Sequence, residues 1–294
     1  MARFLQAVAD GISGGAVYAL MAAGLTLIFG VLDIINIAQG ILVVLAAYLS
    51  YALSVHLQLD PLLGLVITVP VMFVLGVIIQ WAFIRRLRGR ERTAMSLLVC
   101  YAVAVIIEGA LYAEFGGTPV TIHMSYATSP TAQVHVLGFY LGYIYLIGFG
   151  LAVVAIAGIY LLLYRTKFGR SIRATTQDAV AARLIGINVD RVAAVTFGIG
   201  VAVTAAGGMV FGATNAFNPD SGYDLISRLL SIVILGGLGS IGGALVAAMF
   251  MVTLEEIVNI WQPTWAVVVY YAALVIVLFL RPNGLFGKKA VRAQ

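Results

Sequence analysis

A chain of 294 residues with 62% hydrophobic and only 10% charged side chains excludes an ordinary soluble domain, whose wetted surface needs about 25% charge. The net charge of +5 does not point to nucleic acid, because nearly all of the 17 Lys and Arg residues fall in three short clusters. The single cysteine, Cys100, rules out an intramolecular disulfide and a Cys-rich metal centre and reads as a small packing residue.

Apolar runs of roughly 20 residues recur along the chain, each long enough to cross the ~30 Å hydrocarbon core as a helix. The first, Gly11 to Val31, exceeds the 7–15 apolar residues of a signal peptide and reads as a retained helix. Next comes "FGVLDIINIAQG", Phe29 to Gly40, with Asp33, Asn36 and Gln39 among apolar neighbours. Their spacing would put them on one face of a helix. Polar groups at membrane depth usually face a bundle interior. Asn36, Gln39 and Gly40 are therefore candidates to line a translocation path, while Asp33 serves equally well as a cap in a loop at the cytoplasmic surface.

The basic clusters set the orientation. Arg85, Arg86, Arg88, Arg90 and Arg92 form the first; Arg165, Lys167, Arg170, Arg173, Arg183 and Arg191 the second; Arg281, Lys288, Lys289 and Arg292 the third. By the positive-inside rule all three face the cytoplasm. Connections carrying His56 and Asp60, then Glu114, His123 and His135, then Asp220 and Asp224, then Glu255 and Glu256 belong outside. Two runs, Ala94–Ala113 and Leu141–Tyr164, separate the first two clusters, an even number of crossings as required. Glu108, late in the first of these, reads as an interfacial carboxylate.

The second cluster lies in a segment with helical grammar. Thr175-x-x-Asp178 has capping-box spacing, Ala179 to Ile185 is a short run, and Gly186 stands where a C-terminal cap would. Val180 with Leu184, and Ala181 with Ile185, are i, i+4 pairs that form an apolar stripe on a polar helix. Such a helix docks into a groove on another protein or lies on the membrane surface.

Beyond it come Val192–Ala213, a long stretch Leu225–Val258, and Thr264–Leu280. Three crossings would leave the basic C-terminus outside. The long stretch would measure about 50 Å as one helix, so it must fold back. Only Gly236 to Gly243, glycine-rich throughout, has the backbone freedom. Two helices, Leu225–Leu235 and Ile241–Val258, are expected to meet there in a break at membrane depth. Such breaks survive only against protein or water and often mark a translocation path, which makes Gly237, Gly239, Ser240 and Gly242 candidates. Gly239-x-x-x-Gly243 is also a close-packing pattern. The G-x-G-x-x-G spacing of Gly237, Gly239 and Gly242 lacks the strand and soluble βαβ unit of a dinucleotide site. Arg228, four residues after Asp224, is expected to pair with it.

Taken together, "GAVYALMAAGLTLIFGVLDIINIAQG", "RSIRATTQDAVAARLIGINVDRVAAVTFGIG", "VILGGLGSIGGALVAA" and "LRPNGLFG" resemble the LivH-type branched-chain amino acid permeases of ABC importers, over essentially the whole chain. Ala181-Ala182-x-x-x-Gly186 is similar to the EAA…G loop by which such permeases contact their ATPases, with Val180 where the pattern has glutamate. Gln39 stands where the family often has histidine. The resemblance implies an all-α polytopic integral membrane protein of the ABC importer permease fold. It has about eight membrane-spanning helices plus short half-membrane or re-entrant ones, in a single transmembrane permease domain over 1–294, with residues 165–191 as the cytoplasmic coupling loop. Arg173, Asp178, Ala181, Ala182, Leu184, Ile185 and Gly186 would carry ATPase coupling.

Implied partners are a second, LivM-like permease, two cytoplasmic ATPase subunits, a periplasmic substrate-binding protein and the lipid bilayer of the bacterial inner membrane, with no nucleic acid. The chain is then a transport subunit and not an enzyme. It carries no G-x-x-x-x-G-K-[ST], so ATP would be bound by the partner ATPases, and neither a metal nor a cofactor is expected in this chain. The alternative function is an ion-coupled secondary transporter or channel for a small polar solute.

Overall fold

The computed structural model describes residues 2–87, 92–124, 126–128, 133–136 and 139–287; Arg88, Arg90, Lys288, Lys289 and Arg292 lie outside the described residues. The chain runs through α1 (Ala2–Leu32), α2 (Gln39–His56), α3 (Pro61–Ala82), a 3₁₀ turn (Ile84–Arg86) and α4 (Arg92–Phe115). An antiparallel hairpin, β1 (Gln133–Val136) and β2 (Phe139–Gly142), leads into α5 (Tyr143–Arg165), α6 (Lys167–Gln177) and α7 (Ala179–Leu184). Then follow α8 (Val189–Thr214), α9 (Ser221–Gly236), α10 (Ile241–Asn259) and α11 (Pro263–Leu280). Among the described residues, eight of these helices are long and apolar enough to cross a membrane: α1, α2, α3, α4, α5, α8, α10 and α11.

Small residues bring the central helices together. Lipid tails offer helices no hydrophobic incentive to associate, so close approach and dispersion must hold them. Gly11 and Gly15 of α1 lie against Thr253 and Met249 of α10; Gly24 lies against Gly200 of α8, Gly76 of α3 against Gly198, and Gly208 against Val43 of α2. In contrast, α5 and α11 are lined with exposed Val153, Val154, Leu161, Val275, Ile276 and Phe279, the surface a bilayer covers.

The two ends of the bundle differ in charge. At one, Tyr126 donates to Asp60 at 2.8 Å, Tyr112 donates to Asp220 at 2.5 Å, and Val120 bridges Phe217. Gln6 of α1 grips the hairpin there through both backbone groups of Tyr140, at 2.7 and 3.0 Å, so the N-terminus belongs to this acidic end. At the other, Arg85 and Arg183 both reach Asp190. The positive-inside rule makes the first end external and the second cytoplasmic.

α9 runs from the acidic end to the basic one, and α10 returns antiparallel to it, so α8 to α11 make four passes. The tail over residues 281–287 therefore lies at the basic end. There Leu285 N–H donates to the Leu235 carbonyl at 2.8 Å and Phe286 N–H to that of Gly236 at 3.2 Å. The fold-back at the glycines is as expected, but its depth is corrected. Gly237, at φ +97°, packs on Gly287, and Gly239, at φ +82°, on Gly30 near the end of α1. The turn sits at the cytoplasmic end of the bundle, sheathed by the tail, where its free peptide groups find backbone partners.

Candidate functional site: a cytoplasmic cavity and the short helix beside it

The segment after α5 folds back tightly. Thr166 caps α6 by accepting from Gly169 N–H at 2.9 Å. Gly169 sits so close to the Leu162 and Leu163 carbonyls that no Cβ would fit. Arg173 turns inward, donating to the Leu163 carbonyl at 2.6 Å with its guanidinium 5.1 Å from the centre of the Tyr164 ring. It staples α6 to α5 and is not part of an outward docking face.

Asp178 alone caps α7: one carboxylate oxygen accepts from Val180 N–H at 2.8 Å and Ala181 N–H at 3.0 Å. The capping-box reading is thus corrected, since Thr175 lies within α6 and is buried. Gly186, at φ +85°, closes the helix as a left-handed cap does. Ala182 is the buried anchor of α7, whereas Leu184, Ile185 and Val180 are 83%, 74% and 70% exposed. Three large apolar side chains exposed on one short helix form a patch of the kind that a protein groove or a membrane surface covers.

Behind this helix lies a cavity of about 1650 Å³, lined among others by Asp33, Gln80, Arg85, Arg183, Asp190 and Asn283. All three basic segments meet at it. Of the candidate path residues, Gly239, Ser240 and Gly242 line it as well. Ser240 caps α10 by accepting from Gly243 N–H at 3.1 Å.

Asn36, Gln39 and Gly40 are placed differently. The segment over residues 33–38 is not helical, so the three polar residues share no helix face, and Asp33 adopts φ +53°. Asn36 and Gln39 are both 0% exposed. Asn36 Nδ2 donates to Gln39 Oε1 at 2.9 Å, leaving Asn36 Oδ1 and Gln39 Nε2 without partners. Gly40 is jammed against the backbone of Gly222 and Ile226. In this conformation these three stand inside the wall and face no open route. They hold the point where α2 re-enters the bundle after α1.

A further polar group escapes sequence reasoning. Arg228 pairs with Asp224 at 3.2 Å, as its spacing predicts, but its shorter contact is Glu255 on α10, at 2.6 Å, with the guanidinium 5.4 Å from the Tyr270 ring centre. Arg228 and Glu255 are nearly buried, at 14% and 16% side-chain exposure. Only the fold-back that makes α9 and α10 neighbours brings these residues together. Glu108, read as interfacial, accepts from Tyr223 of α9 at 2.6 Å. Outside the spanning helices, burial and the hydrogen bond it donates to the Asp60 carboxylate push the Tyr126 phenol up to about 12.

Comparison with known proteins agrees with this architecture. Residues 7–278 match the family described as branched-chain amino acid transport system / permease component. The high-affinity branched-chain amino acid transport system permease protein LivH of Escherichia coli K12 is 28% identical, across 98% of this chain and 97% of its own. BraD of Pseudomonas aeruginosa, of the same description, is 26% identical with the same coverage. A chain of PsaBC from Streptococcus pneumoniae, solved in complex with Fab, shares the fold at TM-score 0.51 and 14% identity, over 96% of this chain and 94% of that one. A multi-pass helical bundle matched by one family along nearly its whole length identifies the chain as a member of the branched-chain amino acid permease family, with the ABC importer permease fold.

Proposed function

We propose that this permease works in the bacterial inner membrane beside a second, LivM-like permease, two cytoplasmic ATPases and a periplasmic substrate-binding protein. Together they import branched-chain or related amino acids by alternating access. The observation that carries the coupling half of this reading is α7. It is a short helix capped at both ends that presents Leu184, Ile185 and Val180 to the cytoplasmic side, as a helix-in-groove contact requires. Asp178, Ala181 and Gly186 shape that helix, Ala182 anchors it, and Arg173 carries its movement to α5.

ATP binding and hydrolysis by the partners move α7, and α6 transmits the motion to α5. The cavity flanked by Gly239, Ser240 and Gly242 then opens or closes toward the cytoplasm, while Asn36, Gln39 and Gly40 hold the α1–α2 joint against α9. Gly237, wedged on the tail, is the pivot of the α9–α10 turn. Reconstitution of the chain with its cognate permease, ATPases and binding protein in vesicles is expected to give leucine uptake that requires ATP. Uptake that follows an ion gradient without ATP would establish the ion-coupled alternative instead.

A further inference from the structure

The charges around the cytoplasmic cavity are unevenly shared. Asp190, in the first turn of α8, accepts two guanidinium groups: Arg85 Nε at 3.4 Å from the turn after α3, and Arg183 Nη2 at 3.5 Å from α7. Asp33 lines the same cavity as all three. It is exposed, and although its backbone N–H donates to the Phe29 carbonyl, its carboxylate has no ion pair or hydrogen bond among the described residues. Among the described residues, one carboxylate thus serves two cations while the other serves none. A second arrangement, with Arg183 on Asp33 and Arg85 alone on Asp190, forms as many ion pairs and leaves neither Asp unpaired.

The elements that would exchange differ in freedom. α7 is a six-residue helix between an extended Asp178, at φ −156°, and Gly186, at φ +85° with open space around it. A few such terminal residues absorb the backbone change of a hinge. Asp33 stands at the opposite kind of place. It ends α1 three residues after Gly30, which packs on Gly239, and three before Asn36, which is buried with Gln39. A pull on Asp33 therefore reaches both the α9–α10 turn and the α1–α2 joint.

We propose that Arg183 exchanges between Asp190 and Asp33 as α7 moves, making Asp33 a positioning residue that links the coupling helix to the α1–α2 joint. This rests on the reading of α7 as the ATPase contact. Half-exposed ion pairs shift an equilibrium only modestly, so the expected loss is about threefold.

Two measurements on the reconstituted complex test it. Asp33→Asn, which removes the charge but keeps a residue type suited to positive φ, should lower solute moved per ATP hydrolysed about threefold. Arg183→Gln should do the same, and the double variant should be no worse than either. Losses that multiply to about ninefold, or no loss with Asp33→Asn, would overturn the exchange.

In a Cys100→Ala background that keeps Asp33, Arg183 and Asp190, the neighbouring cavity-lining pairs Val31→Cys/Ala179→Cys and Ala179→Cys/Val189→Cys should crosslink with a short bis-maleimide in opposite proportions with and without trapped nucleotide. Absence of the 31–179 crosslink in every nucleotide state, with ATPase co-purification intact, overturns the exchange alone. Failure of the wild-type chain to co-purify with its ATPases overturns the docking reading as well.

Discussion

Gly186 and Gly237 both hold a positive φ, +85° and +97°, yet they belong to opposite kinds of structure. Around Gly186 a side chain would meet nothing within 4 Å; at Gly237 it would run into the backbone of Phe286 and Gly287. The first closes α7, a helix made of what it shows: exposed Val180, Leu184 and Ile185. The second opens the α9–α10 turn, a feature made by leaving side chains out so that α1, the turn and the tail can touch. An exposed patch is specified by protruding groups, a crowded turn by missing ones, and the same amino acid serves both for different reasons.

The largest expected effect sharpens this contrast. Gly237→Ala combines left-handed strain with a collision against main chain that cannot swing away, and should destabilise the chain by about 3 kcal/mol or more. Fluorescence-detected size-exclusion after heating, in detergent, reports it. Gly186→Ala meets only the backbone strain, about 1 kcal/mol. Equal losses at the two positions would erase the distinction between crowded turn and open cap.

Next in size is a change that should leave stability alone. Leu184→Asp with Ile185→Asp puts charges at positions that are already exposed in the chain, so the thermal midpoint of the isolated chain should hold. Association with the ATPases should weaken by about 2 kcal/mol, roughly 30-fold, as expected for the anchor of a small interface. Pull-down at graded ATPase concentrations measures it; undiminished binding would remove α7 from the interface.

How much of this was legible in the sequence follows from the range of each interaction. The spans, the basic end and the fold-back over residues 236–243 come from hydropathy, charge position and length, all local quantities. The helices α9, Ser221–Gly236, and α10, Ile241–Asn259, begin and end close to the expected Leu225–Leu235 and Ile241–Val258. The depth of the turn was not legible, because the contacts that fix it, Gly237 with Gly287 and Gly239 with Gly30, join segments far apart in the chain. The same holds for Arg228. Its partner four residues away is visible as spacing, whereas Glu255 needs the folded hairpin. Asn36 and Gln39 read as path candidates because polar residues at depth suggest a wet route; in this structure the two bond to each other inside the wall, a contact that spacing alone does not show. The small hairpin over residues 133–142 carries too weak a pattern to stand out between two long apolar runs.

The smallest effect separates local order from docking within α7 itself. Six residues are too few to hold a helix alone, since isolated helices shorter than about 12 residues are marginal in water. What orders α7 is the Asp178 carboxylate on two amides, the Gly186 cap and the single buried side chain, Ala182. Asp178→Ala removes the first and should cost about 0.5–1 kcal/mol of local helix stability. The loss should appear as faster hydrogen exchange at Val180 and Ala181, with the global thermal midpoint unchanged. Asp178→Asn keeps an acceptor at the same place and should exchange nearly as slowly as the parent. If the ATPases bind the alanine variant more weakly in proportion to that loss of order, α7 is recognised as a preformed helix. If binding does not change, the partner orders α7 as it docks, and the apolar trio alone defines the contact.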